Sequence, residues 1–447
     1  MERLRKLLAR PAEYEPLAAS AEHGRTEAEN EEQRPFSMLE YTVFFLLGVA
    51  MLWAWNMFLA AAPYFHSRFE SNEWTAKHYQ PSILSVSTVT NLGTVYVLAR
   101  VQKDASYSWR IILSLLVNCF VFTLLAFSTV ILESISVRAY FGFLMVMVFG
   151  ASFATGLIQN GVFAFVSGFG REEYTQAIMG GQGVAGVLPC IVQIVSVLAL
   201  SDHSGDNDDD SQRRPQSSSK SAFVYFLTAT GVSVLTLLAF LYLLRKQPIL
   251  KPKYSEEDED TALINPTHDK AVSLWTLYRK LRFLALSVFG CFLITMVLFP
   301  VYTSVIQSVN YPGGSRIYEP AVFIPLAFLV WNVGDLCGRI AVASPKASLA
   351  HRPGLAYLLA IGRVGFVPLY LLCNIRGEGA VVQSDFFYLF IVQFFFGVTN
   401  GYLASSCMMG ASHWVSPDER EAAGGFMSMM LVGGLAAGSL LSFLVAN

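Results

Sequence analysis

Charge is what this sequence has least of. Asp, Glu, Lys and Arg make up 14% of its 447 residues, where a soluble domain carries about 25%. A soluble chain of this length would need a far more charged surface, which makes a soluble enzyme, a fibrous protein or a disordered scaffold a poor reading. Histidine is also scarce. His23, His66, His78, His203, His268, His351 and His413 fall in the tail or in or near loops, and none stands with Cys or Glu at zinc-site spacing. The sequence has no Asn-x-Ser/Thr acceptor, no Gly-Lys-Ser/Thr phosphate-loop ending, no nucleophile elbow and no kinase signature. No cofactor or metal is therefore expected, an enzyme is disfavoured, and a self-contained ATP-driven pump is excluded. A net charge of −2 lacks the basic excess of a nucleic-acid binder.

What the chain has instead is apolar length: 54% of its residues are hydrophobic. A membrane helix needs about 20 predominantly apolar residues. That length finds eleven runs, at 41–62, 80–100, 110–132, 139–169, 177–200, 222–244, 282–308, 319–343, 354–373, 384–412 and 421–446. The expected fold class is an all-α polytopic membrane protein embedded in a lipid bilayer. The first run lies behind a polar segment of 40 residues, which argues against a cleavable signal peptide. Cys119, Cys190, Cys291, Cys337, Cys373 and Cys407 all lie in or beside apolar runs, which suits buried small hydrophobes better than a disulfide framework.

Basic residues set the orientation. Twenty-one Lys and Arg fall in segments on the N-terminal side and eight on the opposite side, with Arg339 and Arg363 inside runs. The N-terminus is therefore expected to be cytoplasmic. Residues 201–221, rich in Asp and Ser, read as a solvated, disordered external loop. Residues 245–281 read as a cytoplasmic linker with an acidic stretch from Glu256 to Asp260. The organisation is then a disordered tail (1–40), a six-helix bundle (41–244), the linker (245–281) and a five-helix bundle (282–447). A slack linker suits bundles that rock against each other, although an ordinary hydrophilic loop would read the same way.

Polar groups inside the runs stand out, because an ionisable side chain at the centre of a bilayer costs about 2.5–3.5 kcal/mol on insertion scales. Asp335 and Arg339 stand four apart on one helical face. The pair can present a donor and an acceptor to a polyhydroxyl ligand such as a sugar ring, or it can simply lock this helix to a neighbour. Gln159 and Asn160 lie mid-run, where a carboxamide either reads the edge of a heterocycle or glues helices together. Trp55 and Asn56 sit well inside the first run, where an indole can stack on a planar ligand or pack in the core. Gly180-Gly181-Gln182-Gly183-Val184-Ala185-Gly186 has no preceding strand, so its small residues are read as letting helices approach closely. Gly433, Gly434 and Gly438 are read in the same way.

Together these segments resemble the equilibrative nucleoside transporter family over roughly residues 40–447. The resemblance rests on Trp55-Asn56, Gln159, Gly181-Gln182-Gly183-x-Ala185-Gly186, Phe299-Pro300, Asp335-x-x-x-Arg339 and Asn400-Gly401-Tyr402-Leu403-Ala404-Ser405, in that order. It implies a major-facilitator-like fold of six plus five helices around a central cavity, with a nucleoside as substrate. It further implies that Gln159 contacts the nucleobase, that Asp335 and Arg339 contact the ribose hydroxyls, and that Leu52 and Trp55 line the base pocket. Asn56 belongs to the matched motif, Asn91 in the polar second run is a further candidate contact, and Leu59, Phe299 and Pro300 mark the external gate. Many members have Leu-Pro-Trp-Asn where this chain has Trp53-Ala54-Trp55-Asn56, so no proline is present to bend the first helix.

The expected activity is facilitative, alternating-access transport of nucleosides, with nucleobases as a second substrate class, by a monomer. Pairing with Arg339 is expected to keep Asp335 ionised near neutral pH. Two other functions remain in view: a polyspecific organic-cation or monoamine carrier, which needs an unpaired acid, and a non-transporting receptor or scaffold working through the 245–281 loop. Tyr14-Glu15-Pro16-Leu17 has the tyrosine-x-x-bulky pattern that sorting adaptors read. With the family's lysosomal and vacuolar members, it favours a vacuolar or endolysosomal membrane over the plasma membrane.

Overall fold

The computed structural model describes residues 36–102, 105–132, 134–201, 210–246, 272–311, 315–344 and 347–445. The tail motif at Tyr14 and most of the expected linker fall outside them. Among the described residues, eleven helices are long and apolar enough to cross a membrane. These are α1 (Met38–Phe69), α2 (Glu73–Arg100), α3 (Tyr107–Ile131), α4 (Val137–Gly168), α5 (Glu172–Val195) and α6 (Ser219–Lys246), followed by α7 (Leu274–Thr303), α8 (Pro320–Ala341), α9 (Pro353–Leu371), α10 (Phe387–Trp414) and α11 (Pro417–Ser442).

Their starts are written locally. Ser37, Asn72, Ser106, Ser136 and Ser273 each accept a backbone N–H of the first turn of α1, α2, α3, α4 and α7. Pro320 and Pro353 open α8 and α9, where the missing N–H costs nothing. Ser416 and Glu419 close a reciprocal capping box at the start of α11. Without a proline, α1 runs unbroken from Met38 to Ala60 and is jointed only at Ala61, just before Pro63.

Two expectations need correction. The polar 201–221 segment is not all loop, because the helix that carries α6 already begins at Asp210. Cys337 is exposed and Cys119 and Cys190 are only half-buried. In lipid an outward-facing thiol carries little penalty, so apolar context did not imply burial.

The helices sort into two halves. In one, α1 packs on α5 and α6, α3 on α4 and α6, and α2 on α4. In the other, α7 packs on α9, α10 and α11, and α8 packs on α10. The halves meet where α5 touches α8 and α10, and where α2 and α4 touch α11. Large apolar side chains such as Phe120, Phe127, Phe149 and Leu238 are exposed, whereas Asn118, Gln159, Gln182, Gln393 and Asn400 are buried. This inside-out distribution fits a chain whose outer solvent is hydrocarbon.

The cores show how the halves are joined. The face at which α1 begins is called the near face, and the opposite one the far face. One cluster, including Phe44, Leu47, Ile158, Phe163, Ile178, Leu284, Val288, Cys407 and Phe426, runs through both halves on the near side. On the far side the core divides. Phe58, Phe65, Phe122, Tyr140 and Phe226 belong to the six-helix half, and Phe323, Tyr370, Tyr388 and Phe396 to the five-helix half. The buried core is thus shared by the halves at the near face and divided between them at the far face.

Candidate functional site

The centre of the site is built by glycine. Gly334 and Gly338 on α8 face Gly397 and Gly401 on α10, so each helix carries a small-xxx-small pair against the other. A Cβ on Gly401 would collide with the Asp335 carbonyl, and one on Gly334 with the Phe394 carbonyl. The two backbones therefore touch directly, which brings Asp335, Arg339 and Asn400 into hydrogen-bonding range.

Asp335 and Arg339 are each 4% exposed. Arg339 Nε donates to Asp335 Oδ2 at 2.6 Å, and Asn400 Nδ2 donates to Oδ1 at 2.6 Å. Both carboxylate oxygens are engaged, so the unpaired acid an organic-cation carrier needs is absent here. The same guanidinium reaches into the other half, where Nη1 donates to the Met179 carbonyl at 3.0 Å and to Gln182 Oε1 at 3.1 Å, both on α5. Gln182 in turn lies 3.7 Å from the Met51 sulfur on α1. The pair faces the interior and it locks α8 to a neighbour.

On the five-helix side, Asn400 Oδ1 lies 2.7 Å from the Thr295 hydroxyl, 3.4 Å from Cys291 Sγ and 3.3 Å from Arg363 Nη1. Arg363 sits where α9 is interrupted by a 3-10 turn and is 1% exposed. Sequence reasoning counted this arginine but gave it no role. The rule that flagged Asp335, an ionisable residue inside an apolar run, flags Arg363 as well, yet no complementary charge lies one turn away to show its use.

The two adjacent carboxamides of α4 have different uses. Asn160 Oδ1 accepts from Arg110 Nη1 at 2.5 Å and ties α4 to α3. Gln159 is 5% exposed and its Oε1 has no partner. An orphaned buried acceptor calls for a partner from outside the chain, and a ligand is one such partner. Asn91 Oδ1 is similarly unpartnered, beside Gly156. On α1, Leu52 and Trp55 are half-buried and Leu59 is 58% exposed. Asn56 Nδ2 donates to the Ala185 carbonyl at 2.6 Å, so it fastens α1 to α5. Phe299 stacks on Trp331 with ring centroids 3.9 Å apart, and Pro300 follows it near the end of α7. The structure joins Asp335 with Arg339 directly. Gln159 and Asn91 have no described bond to that pair. Open grooves of about 300 and 360 Å³ lie instead between the far parts of α2 and α4, around Trp74 and Phe141, and touch none of these residues.

At the near face Glu172 on α5 contacts His413 at the end of α10, a pair joining the two halves that sequence spacing could not reveal. Among the described residues no group of three or more His, Cys, Asp and Glu could hold a metal ion.

Two apolar helical halves, with a core continuous at one face and divided at the other, and tied together by the guanidinium of a buried ion pair, define the class: an integral membrane transporter. The fold is that of the major facilitators, since the solved structure of the proton:xylose symporter XylE covers 91% of the chain at a TM-score of 0.51 and 12% identity, with 86% of that structure matched. Residues 144–447 match the Nucleoside transporter family. Nucleoside transporter FUN26 of Saccharomyces cerevisiae is 31% identical over 91% of the chain and 83% of its own length. Human equilibrative nucleoside transporter 1 is 29% identical over 90% of the chain and 96% of its length. The chain belongs to the equilibrative nucleoside transporter family, and its relatives are transporters rather than enzymes.

Proposed function

We propose that this protein carries nucleosides across its membrane by alternating access, driven by the substrate's own gradient. The observation that carries the reading is the divided core: one cluster spans both halves at the near face and two separate clusters stand at the far face. A molecule held that way is closed on one side and accessible from the other, which is one end state of a rocking cycle.

A nucleoside is a flat heterocycle joined to a diol. In our reading the diol meets Asp335 and Arg339, and Gln159 reads an edge of the base. Leu52 and Trp55 supply the apolar wall, and Leu59, Phe299 and Pro300 lie on the far-side path. Asn56 holds α1 in place beside that wall, and Asn91 is an additional polar contact. The carboxylate accepts from a hydroxyl and the guanidinium donates to one, so the pair suits a neutral polyol without net charge transfer. Binding has to stay modest, because a substrate held tightly in one state would not leave in the other. The near face is cytoplasmic in this reading, supported by its excess of Lys and Arg. Tyr14-Glu15-Pro16-Leu17 supports a vacuolar or endolysosomal membrane.

The test is uptake of labelled purine and pyrimidine nucleosides and nucleobases into proteoliposomes, at mildly acidic and at neutral pH. Saturable uptake of nucleosides that needs no imposed proton gradient is expected. Uptake unchanged in the Gln159→Ala, Arg339→Ala double variant would remove the assigned site.

A further inference from the structure

At the centre of the five-helix half stand the Asp335 carboxylate and two guanidiniums, Arg339 and Arg363, all 4% exposed or less; the other buried carboxylate described there, Glu419, is paired with Lys280 at the start of α11. Arg339 meets Asp335 directly. Arg363 does not; Asn400 lies between them. An asparagine side chain can be turned either way, and its neighbours decide which end is oxygen. Around Asn400 Oδ1 stand three donors from two helices: Arg363 Nη1 (3.3 Å) on α9, the Thr295 hydroxyl (2.7 Å) and the Cys291 thiol (3.4 Å), both on α7. The Thr295 hydroxyl also lies 2.8 Å from the Cys291 carbonyl, so its single proton serves one acceptor at a time. Arg363 therefore supplies the one donor at this oxygen that carries a fixed charge. The reversed amide would put its NH₂ against a guanidinium and its oxygen against a carboxylate. Arg363 thus fixes the polarity of Asn400, and Asn400 Nδ2 is delivered to Asp335 Oδ1 at 2.6 Å.

Arg363 is itself held through Nη1 and Nη2, while its Nε has no hydrogen-bond partner among the described residues. Its Nη1 donates to the Cys291 carbonyl at 2.8 Å and its Nη2 to the Phe396 carbonyl at 3.3 Å, and its guanidinium lies 4.3 Å from the centre of the Phe396 ring. It touches no group of the six-helix half among the contacts described, so its position does not depend on how the halves are arranged. Asp335 is therefore clamped from two directions, by Arg339 through Oδ2 and by the Arg363–Asn400 relay through Oδ1.

We propose that Arg363 is a positioning residue of the substrate site: through Asn400 it fixes the Asp335 carboxylate in the orientation that receives the sugar diol. The inference rests on the nucleoside reading above and adds a residue that meets no substrate. It predicts a selective defect. Loosening the relay weakens recognition of the diol and leaves recognition of the base intact.

The experiment compares KM and maximal rate for uridine and for 2′,3′-dideoxyuridine, which lacks the diol, in proteoliposomes. The proteins are wild type, Arg363→Gln, Arg363→Lys and Thr295→Val. Wild type is expected to prefer uridine. Arg363→Gln should raise the uridine KM about 10-fold, the scale of one charge-assisted contact. Its dideoxyuridine KM and both maximal rates should stay within about 2-fold. Arg363→Lys restores part of the preference, and Thr295→Val, acting on the same oxygen from α7, gives a smaller loss in the same sense. If Arg363→Gln is not recovered folded, Thr295→Val decides alone. Preference for uridine kept in the folded variants, or both KM values moving together, overturns the relay. No preference in wild type overturns the diol reading instead and takes the relay with it.

Discussion

Removing Arg339 should hurt the protein more than removing Arg339 and Asp335 together. The two side chains are 5% and 6% exposed, so water screens little of their interaction. Arg339→Met leaves a buried carboxylate with only the Asn400 amide as donor. It also strips a donor from the Met179 carbonyl and from Gln182 on α5. Stranding one member of a buried pair costs about 3–5 kcal/mol, and each lost partner of a buried acceptor adds about 1–3 kcal/mol before relaxation. Asp335→Leu with Arg339→Met still loses the α5 contacts but no longer holds a bare charge. The double variant should therefore recover at least about 2 kcal/mol relative to the sum of the singles, within the range measured for neighbouring residues. The assay is the apparent unfolding free energy of the four proteins in nanodiscs, with nucleoside uptake alongside. All three variants should lose uptake. Single-variant losses that simply add, to within about 0.5 kcal/mol, would show that the pair is not coupled and refute the reasoning.

Gln159→Leu removes an orphaned buried oxygen, so stability should hold or rise by about 1 kcal/mol while the uridine KM rises about tenfold; a matching fall in stability would make Gln159 a packing residue. Gly401→Ala drives a methyl into the Asp335 carbonyl and should cost about 1–3 kcal/mol or more. Gly93→Ala, with nothing within 4 Å, should be harmless in the same yield and melting assay. His413→Ala cuts a side-chain tie between the halves at the near face. It should speed thiol labelling of the fully buried Cys407, read in a protein whose other five cysteines are serine; an unchanged labelling rate would mean the tie does not hold that face shut.

Much of this was legible because the bilayer imposes simple rules. Span number followed from apolar length, and the buried pairing of Asp335 with Arg339 followed from their cost in hydrocarbon and their spacing of one turn. The small residues of α5 and α11 were read as close-packing points, and Gly181 does abut the Phe45 carbonyl and Gly434 the Phe289 carbonyl. What escaped was non-local. Arg363 finds Cys291 and Asn400 at separations of 72 and 37 residues, and no periodicity links them. Gln159 and Asn160 were equal in sequence, and only packing left one acceptor empty and filled the other. The division of the core was invisible as well, since apolar residues of both halves follow the same helical pattern.

The meshed glycines of α8 and α10 carry a consequence for the transport cycle. Helices separated by side chains can slide, because rotamers absorb the shift; helices in backbone contact have no such cushion. Asp335 and Asn400 are thereby parts of one rigid unit, whereas the bonds from Arg339 to Met179 and Gln182 cross to the moving partner. When the halves rock in the proposed cycle, Asp335 and Asn400 move together and Arg339 must exchange its α5 partners. The arginine is then a pin between a rigid pair and a moving partner, and the stroke is measured by which α5 groups it leaves and which it finds next.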